Sequence, residues 1–348
     1  MILLQEVIHT ITIKMKKISF PLVVILLICI IITLIGYNTL TIRKESQKYQ
    51  ELQQKYQNQP LDETTHSNAN TPTIYCIGDS LTIGAKSSSY PTALSSATNF
   101  SVNKFGGAQD QTQDIAIRMG KIKIYTNNIT IPETATPVNL KIYDKDNNVL
   151  NVLKGKGSNF TTVEIAGISG KLKYNATKKT HTFTRDQNGV EKVITKLTQI
   201  KSEIPTFEKN NVAIIFTGTY DPQTQNGIFK TITYQRAIIN QLKTKNYIVV
   251  SLTSKRRLPI VDDMNKVLKE EHKEHFLDFR YYLLNDGIKD AKITLTAQDK
   301  KDLQKGYIPS SFLQVDMLNG NAKFNQLLAE QITKKMIDLK YIDKNDIK

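Results

Sequence analysis

Apolar positions follow three regimes along the 348-residue chain, and each regime predicts a different kind of element. From Ile18 to Gly36 they are continuous (ISFPLVVILLICIIITLIG), about the ~20 residues that a spanning helix needs. From Ile74 onward, short apolar runs alternate with stretches of helical period. Between about Lys121 and Thr195 that rhythm gives way to period-two alternation punctuated by turn residues.

The first regime predicts a single-pass anchor over 18–36. Lys14, Lys16 and Lys17 precede it and favour a cytoplasmic N-terminus over 1–17, although Arg43 and Lys44 beyond the run reduce the asymmetry. No small-x-small cleavage site follows, so the segment reads as an uncleaved signal-anchor. Ile28 precedes Cys29 where a lipoprotein signal wants a small residue, which argues against lipidation. The expected location is the cell membrane, with the C-terminal domain extracellular. Met15 reads as an alternative start. Residues 37–73 read as stalk and linker: Tyr49, Leu52 and Tyr56 lie on one stripe of a polar helix, and LDETTHSNANTPT (61–73) is polar and aperiodic.

The second regime predicts an α/β domain. TIYCIG, VAIIFTG (212–218) and YIVVSLTS (247–254) are short apolar runs suited to buried parallel strands, and HFLDFR (275–280) supplies a fourth. Helical patterns cover 229–242, 260–272 and 323–339; in the last, Phe324, Leu327, Leu328, Ile332, Met336 and Leu339 recur at helical spacing. Strands alternating with such helices predict a parallel sheet covered on both faces. The third regime predicts a small antiparallel β domain inserted at a surface loop. The expected organisation is a first α/β part over 74–120, a β-rich insert over 121–196 and a second α/β part over 197–348.

Composition changes this picture little. Forty-seven basic against 32 acidic residues give a net charge of +15. The lysines are dispersed without a recognition motif, so no nucleic-acid partner is expected; a solvated Lys-rich surface of this kind is drawn to anionic polymers or lipid headgroups. The two cysteines, Cys29 and Cys76, fall in the anchor and in a core strand, which leaves no disulfide framework. No His/Asp/Glu cluster has ligand spacing, so neither metal nor cofactor is expected. DKDNN (144–148) lacks the Gly and distal Glu of a calcium loop and reads as a hairpin turn.

The chemistry concentrates at IGDSLTIG (77–84), where an apolar run ends in Gly-Asp-Ser. Ligands of α/β sheets bind outside the carboxyl ends of the strands, and a serine at such a turn is exposed beside backbone N–H groups that can stabilise an oxyanion. This block resembles the first block of the SGNH (GDSL) hydrolase family, serine esterases and deacylases with a three-layer α/β/α fold. The resemblance implies that Ser80 is the nucleophile and one oxyanion donor, with Asp79 in support. In NKFGGAQDQTQDIAIRMG (103–120), Gly107 takes the second oxyanion position, with Gly106 beside it; a shift of one or two residues is open, and a plain turn is the alternative.

Two family positions are altered. VAIIFTGTYD ends in Gly218-Thr219-Tyr220-Asp221, so Tyr220 stands where the family has an oxyanion-holding Asn. In SSFLQVDMLNGNAKFNQLLAEQI (310–332), Asp316 takes the family's Asp, Asn321 a frequent Asn position, and Asn319 the position of the catalytic His. An amide has no titratable base near neutral pH with which to take the serine's proton. Among the other histidines, His272 and His275 sit in KEEHKEHFLDF and read as solvated surface residues, His181 lies in the insert, and His66 in the linker.

Two function classes follow. One is a membrane-anchored esterase or O-deacylase acting on acylated cell-envelope carbohydrate. The other is a non-catalytic relative that binds an envelope glycan or a partner protein.

Overall fold

The computed structural model describes residues 72–84, 89–155, 162–204, 206–254 and 260–348. The anchor and stalk expected over 18–71 lie outside these residues. Among the described residues, no helix is long and apolar enough to cross a membrane.

The α/β part opens with β1 (Thr73–Gly78), α1 (Ser80–Ile83), α2 (Tyr90–Ala97), β2 (Ser101–Gly106) and α3 (Thr112–Arg118). A β-only stretch follows: β3 (Ile124–Thr126), β4 (Ile129–Ile131), β5 (Val138–Leu140), β6 (Thr162–Ile165), β7 (Ile168–Asn175), β8 (Thr180–Arg185), β9 (Lys192–Ile194) and β10 (Thr198–Ser202). The chain then returns to alternation with β11 (Val212–Phe216), α4 (Gln225–Gln241), β12 (Tyr247–Val250), α5 (Ile260–His272) and β13 (Phe276–Leu277). Four helices complete it: α6 (Phe279–Leu284), α7 (Gly287–Asp290), α8 (Ala297–Gln304) and α9 (Ala322–Asp338).

Five strands form one parallel sheet in the order β13-β12-β11-β1-β2. Side chains alternate across a strand, so Ile74, Cys76, Val212, Ile214, Phe216, Ile248 and Val250 share a face. They pack with α2, α6 and α9 in one apolar cluster. Each fully buried Leu or Ile of α9, such as Leu328 and Ile332, contributes roughly 1.5–3 kcal/mol. The alternate set, Tyr75, Ile77, Ala213, Ile215 and Val249, is buried as well. Both faces are therefore covered, as parallel sheets require. A further cluster joins α4 and α5 through Ile228, Ile232, Met264 and Leu268.

The middle stretch builds a six-stranded sheet, β3-β10-β6-β7-β8-β5, and a two-stranded one, β4-β9, with antiparallel pairing throughout. Its first and last strands, β3 and β10, are neighbours, so the chain leaves the α/β part and rejoins it at adjacent points. Ile117 of α3 belongs to the apolar cluster of this sheet, together with Phe183 and Ile165. The 144–148 segment is a hairpin turn between the bridged residues Tyr143 and Val149. Asp144 closes it by accepting the N–H groups of Asp146 and Asn148 at 2.9 Å.

Two elements differ from the sequence expectation. HFLDFR contributes only Phe276–Leu277 to the sheet, because Asp278 accepts the Tyr281 N–H at 3.1 Å and starts α6 instead. SVNKFG forms β2, a sheet-edge strand whose half-exposed pattern hides it from a search for buried apolar runs.

Candidate functional site

β1 ends at Gly78, and the turn that follows is built around Asp79. Its carboxylate accepts the Leu81 N–H at 3.0 Å and caps the single turn of α1. This places Ser80 at the carboxyl end of β1, an interior strand between β11 and β2, and half-buried. Gly78 and Gly106 lie side by side in register at the ends of β1 and β2. A Cβ on Gly106 would stand 2.0 Å from the Gly78 carbonyl oxygen, so the two backbones approach as only glycine allows.

Ser80 Oγ lies 2.9 Å from the Tyr220 hydroxyl. Tyr220 follows Gly218, whose φ of +112° turns the chain sharply after β11. The structure thus brings together two sequence-predicted site residues from strands that pair in the sheet. Either oxygen can donate in this pair, and a phenol is a weak base beside an imidazole.

Next to Tyr220, Asp221 is buried and ties three elements together. It accepts the Thr112 N–H and the Thr112 hydroxyl, both at 2.7 Å, and the Thr231 hydroxyl. The chain after β11 is thereby locked to the first turn of α3 and to α4. Sequence reading gave this residue no role, since no local spacing signals partners 109 and 10 positions away.

Gly107 lies against Asp110: a Cβ there would stand 1.8 Å from the Asp110 carboxylate. Asp110 is fully buried and paired with Arg118, Nε to Oδ2 at 2.5 Å. Asp114, beside them, accepts Leu153 N–H at 2.6 Å and Gln111 N–H at 3.1 Å.

Asp316 and Asn319 are brought to each other. Asp316 accepts the backbone N–H groups of Leu318 and Asn319 at 2.9 Å, and the Asn319 side-chain amide at 2.6 Å. They form a compact turn ahead of α9, with Asp316 exposed and Asn319 half-buried, and Asn321 caps that helix through Phe324 N–H at 3.2 Å.

The described histidines are each committed elsewhere. His272 is buried rather than solvated; its helix is amphipathic, and the charged neighbours in KEEHKEH face outward while the imidazole faces in. Its Nε2 lies 2.9 Å from Gln235 Oε1, and Gln235 donates onward to Thr217. Burial pushes its pKa down to about 4, so it is neutral at pH 7. His275 is also partly buried, stacked on Tyr247 with ring centroids 4.1 Å apart and 2.7 Å from the Tyr341 hydroxyl. His181 Nε2 lies 3.2 Å from the Leu153 carbonyl oxygen, inside the β region. His9 and His66 lie outside the described residues.

Burial pushes the Asp79 carboxyl up to about 7, with Asp221 adding to the rise and the Leu81 and Thr219 hydrogen bonds opposing it. A folded-state value above the unfolded one, near 4, means that the native state holds more protons in between. This group therefore makes stability fall as pH rises from about 4 to 7. Asp79→Asn keeps the cap acceptor and removes the titration. Its urea-unfolding midpoint is expected to show a flatter pH slope across that window than the parent's; an unchanged slope would show that Asp79 is not the group responsible.

Fold and site together define an α/β protein with a half-buried serine at the carboxyl end of the central region of a parallel sheet. No family model matches the chain, and no curated protein matches it. Among solved structures it is similar to a lipase/acylhydrolase from Enterococcus faecalis, at 13% identity over 80% of this chain and 98% of that one, with a TM-score of 0.38. That likeness is too loose to transfer an activity.

Proposed function

We propose that this chain is a membrane-anchored, extracellular protein of SGNH hydrolase type whose Ser80 site binds acylated cell-envelope carbohydrate without rapid acyl transfer. One observation carries the reading: the partner of Ser80 Oγ is the Tyr220 hydroxyl, while His181, His272 and His275 are held by other groups. A serine hydroxyl lacking an imidazole partner is a poor nucleophile, yet it remains a good hydrogen-bonding group for a sugar hydroxyl or an acyl carbonyl. The apolar run over 18–36 and the lysines before it supply the anchor and its orientation.

The second reading is a slow serine esterase or deacylase. What favours it is the position of Ser80 at the first turn of α1, with the Tyr220 O–H beside it as a donor. Oxyanion stabilisation and binding alone leave roughly 10³–10⁴-fold catalysis over water when a triad member is missing.

The two readings separate when the full-length chain is treated with a short-chain chromogenic ester and a serine-reactive phosphonate. Neither turnover nor labelling above that of Ser80→Ala is expected. Labelling that vanishes in Ser80→Ala would overturn the binding reading in favour of the esterase. Asn319→His tests the altered position directly: activity appearing only there places the missing base at residue 319.

A further inference from the structure

We propose that the β-rich region carries a second ligand site, a cleft of about 340 Å³ on its outer surface, which binds a short stretch of glycan bearing an anionic group. The cleft lies where the chain after β5 changes its pairing partner. Leu140 at the end of β5 pairs with His181 of β8, and Tyr143 is bridged to Tyr125 of β3. Asn127, Asn128, Asn139, Lys141, Tyr143 and Thr180 line the cleft at that changeover.

Strand period decides which side chains face it. Val138, Leu140 and Ile142 pack with the apolar cluster inside, so Asn139, Lys141 and Tyr143 project from the opposite face. Asn139 pairs with Thr182 of β8. Thr180, two residues earlier on β8, shares that outward face, while His181 between them is buried. Ile129 and Leu140 reach the cleft but are themselves buried, so an apolar ligand finds little surface here.

The exposed groups suit a hydroxylated ligand. Each amide offers donors and an acceptor. Asn127 gives an N–H to Asn147 Oδ1 at 2.8 Å and keeps its own carbonyl oxygen. Among the described residues, the side chains of Asn128 and Asn139, the Tyr143 hydroxyl and the Lys141 ammonium have no protein partner. Lys173 of β7 pairs with Thr182, which puts it in one row with Asn139 on this same face. It stands two strand spacings, about 10 Å, from Asn139, and it too is unpaired among the described residues. The neighbouring carboxylates are engaged: Glu164 with Lys201 at 2.9 Å, Asp146 with Lys145 at 2.8 Å, and Asp144 with the N–H groups of its own hairpin. Lys141 and Lys173 are therefore available to the anionic group, while the amides and Thr180 meet the hydroxyls beside it. The volume is at the small end of the roughly 300–1,000 Å³ that ligand sites occupy, so the cleft grips a short segment of such a chain.

This site is built only from the β-rich region, so it stands whether or not Ser80 turns over an ester. Isothermal titration of the full-length chain in neutral detergent tests it, with tetra-galacturonate as the carboxylated probe, pentamannose phosphate as the phosphorylated probe and cellotetraose as the neutral control. At least one acidic probe should bind, more tightly than cellotetraose, and the stronger identifies the anionic group. Lys141→Glu, at an exposed position, should weaken that binding about tenfold or more, and Asn139→Ala, on an edge strand, about threefold. Lys141→Arg should retain the affinity, and Ser80→Ala should leave it unchanged. Failure of both acidic probes to bind, equal binding of cellotetraose, or unchanged affinity in both Lys141→Glu and Asn139→Ala overturns the proposal. Binding lost in Ser80→Ala but kept in Lys141→Glu would place the ligand at Ser80 instead, which also overturns it.

Discussion

Gly78→Ala is expected to destabilise the protein by about 3 kcal/mol, at the upper end of what overpacking costs, and to displace Ser80 with it. A Cβ at this position would stand 2.2 Å from Thr82 Oγ1 and 2.3 Å from the Phe216 carbonyl oxygen. The threonine can rotate, although its hydroxyl lies 3.3 Å from that of Tyr90. The carbonyl cannot move so easily, because Gly78 and Phe216 are register partners in the parallel β1–β11 ladder. Relief requires the strand ends to part, and Asp79 and Ser80 follow directly on one of those ends. Urea denaturation should show a lower midpoint with little change in slope. A midpoint unchanged from the parent would mean that the close approach of these strands is not needed to build the turn.

Arg118→Met is the second large effect. It leaves the Asp110 carboxylate fully buried without its guanidinium, and breaking a buried pair from one side costs about 3–5 kcal/mol. The carboxylate cannot swing into solvent, since Gly107 and Gly155 press on it from two sides. Asp110→Asn combined with Arg118→Met removes both charges at nearly constant volume. The double variant should recover much of the single variant's loss at pH 7. Equal stability of single and double variants would show that the cost comes from lost packing of the arginine stem rather than from an orphaned charge.

Much of the architecture was legible in the chain because the relevant signals are local. Ile260–His272 and the last helix carry their apolar stripes in sequence, and the helices observed over Ile260–His272 and Ala322–Asp338 follow them to within a residue. VAIIF and YIVV are short because they are buried on both faces, and both are strands of the parallel sheet. Where reading failed, the competing signal was also local but weaker. β2 is an edge strand with polar residues at alternate positions, and a single capping aspartate turned HFLDFR from strand into helix. Helix α4 begins at Gln225, before its first periodic apolar residue, because Thr224 caps it through the Gly227 N–H.

At the site the division is sharper. From sequence alone came the serine at the end of an apolar strand, the tyrosine and asparagine at altered family positions, and the run of apolar residues that reads as an anchor. Those are properties of neighbours along the chain: strand period, turn chemistry, side-chain type. What only the tertiary structure decided is which groups meet. Ser80 meets Tyr220 across 140 residues, Asp221 meets Thr112 across 109, and His272 turns inward to Gln235 despite its charged neighbours. Such contacts depend on strand order and helix facing, which period and composition do not encode. The sequence therefore raised the question of what takes the proton from Ser80, and the packing sets beside it a tyrosine hydroxyl, a hydrogen-bond partner and not a strong base.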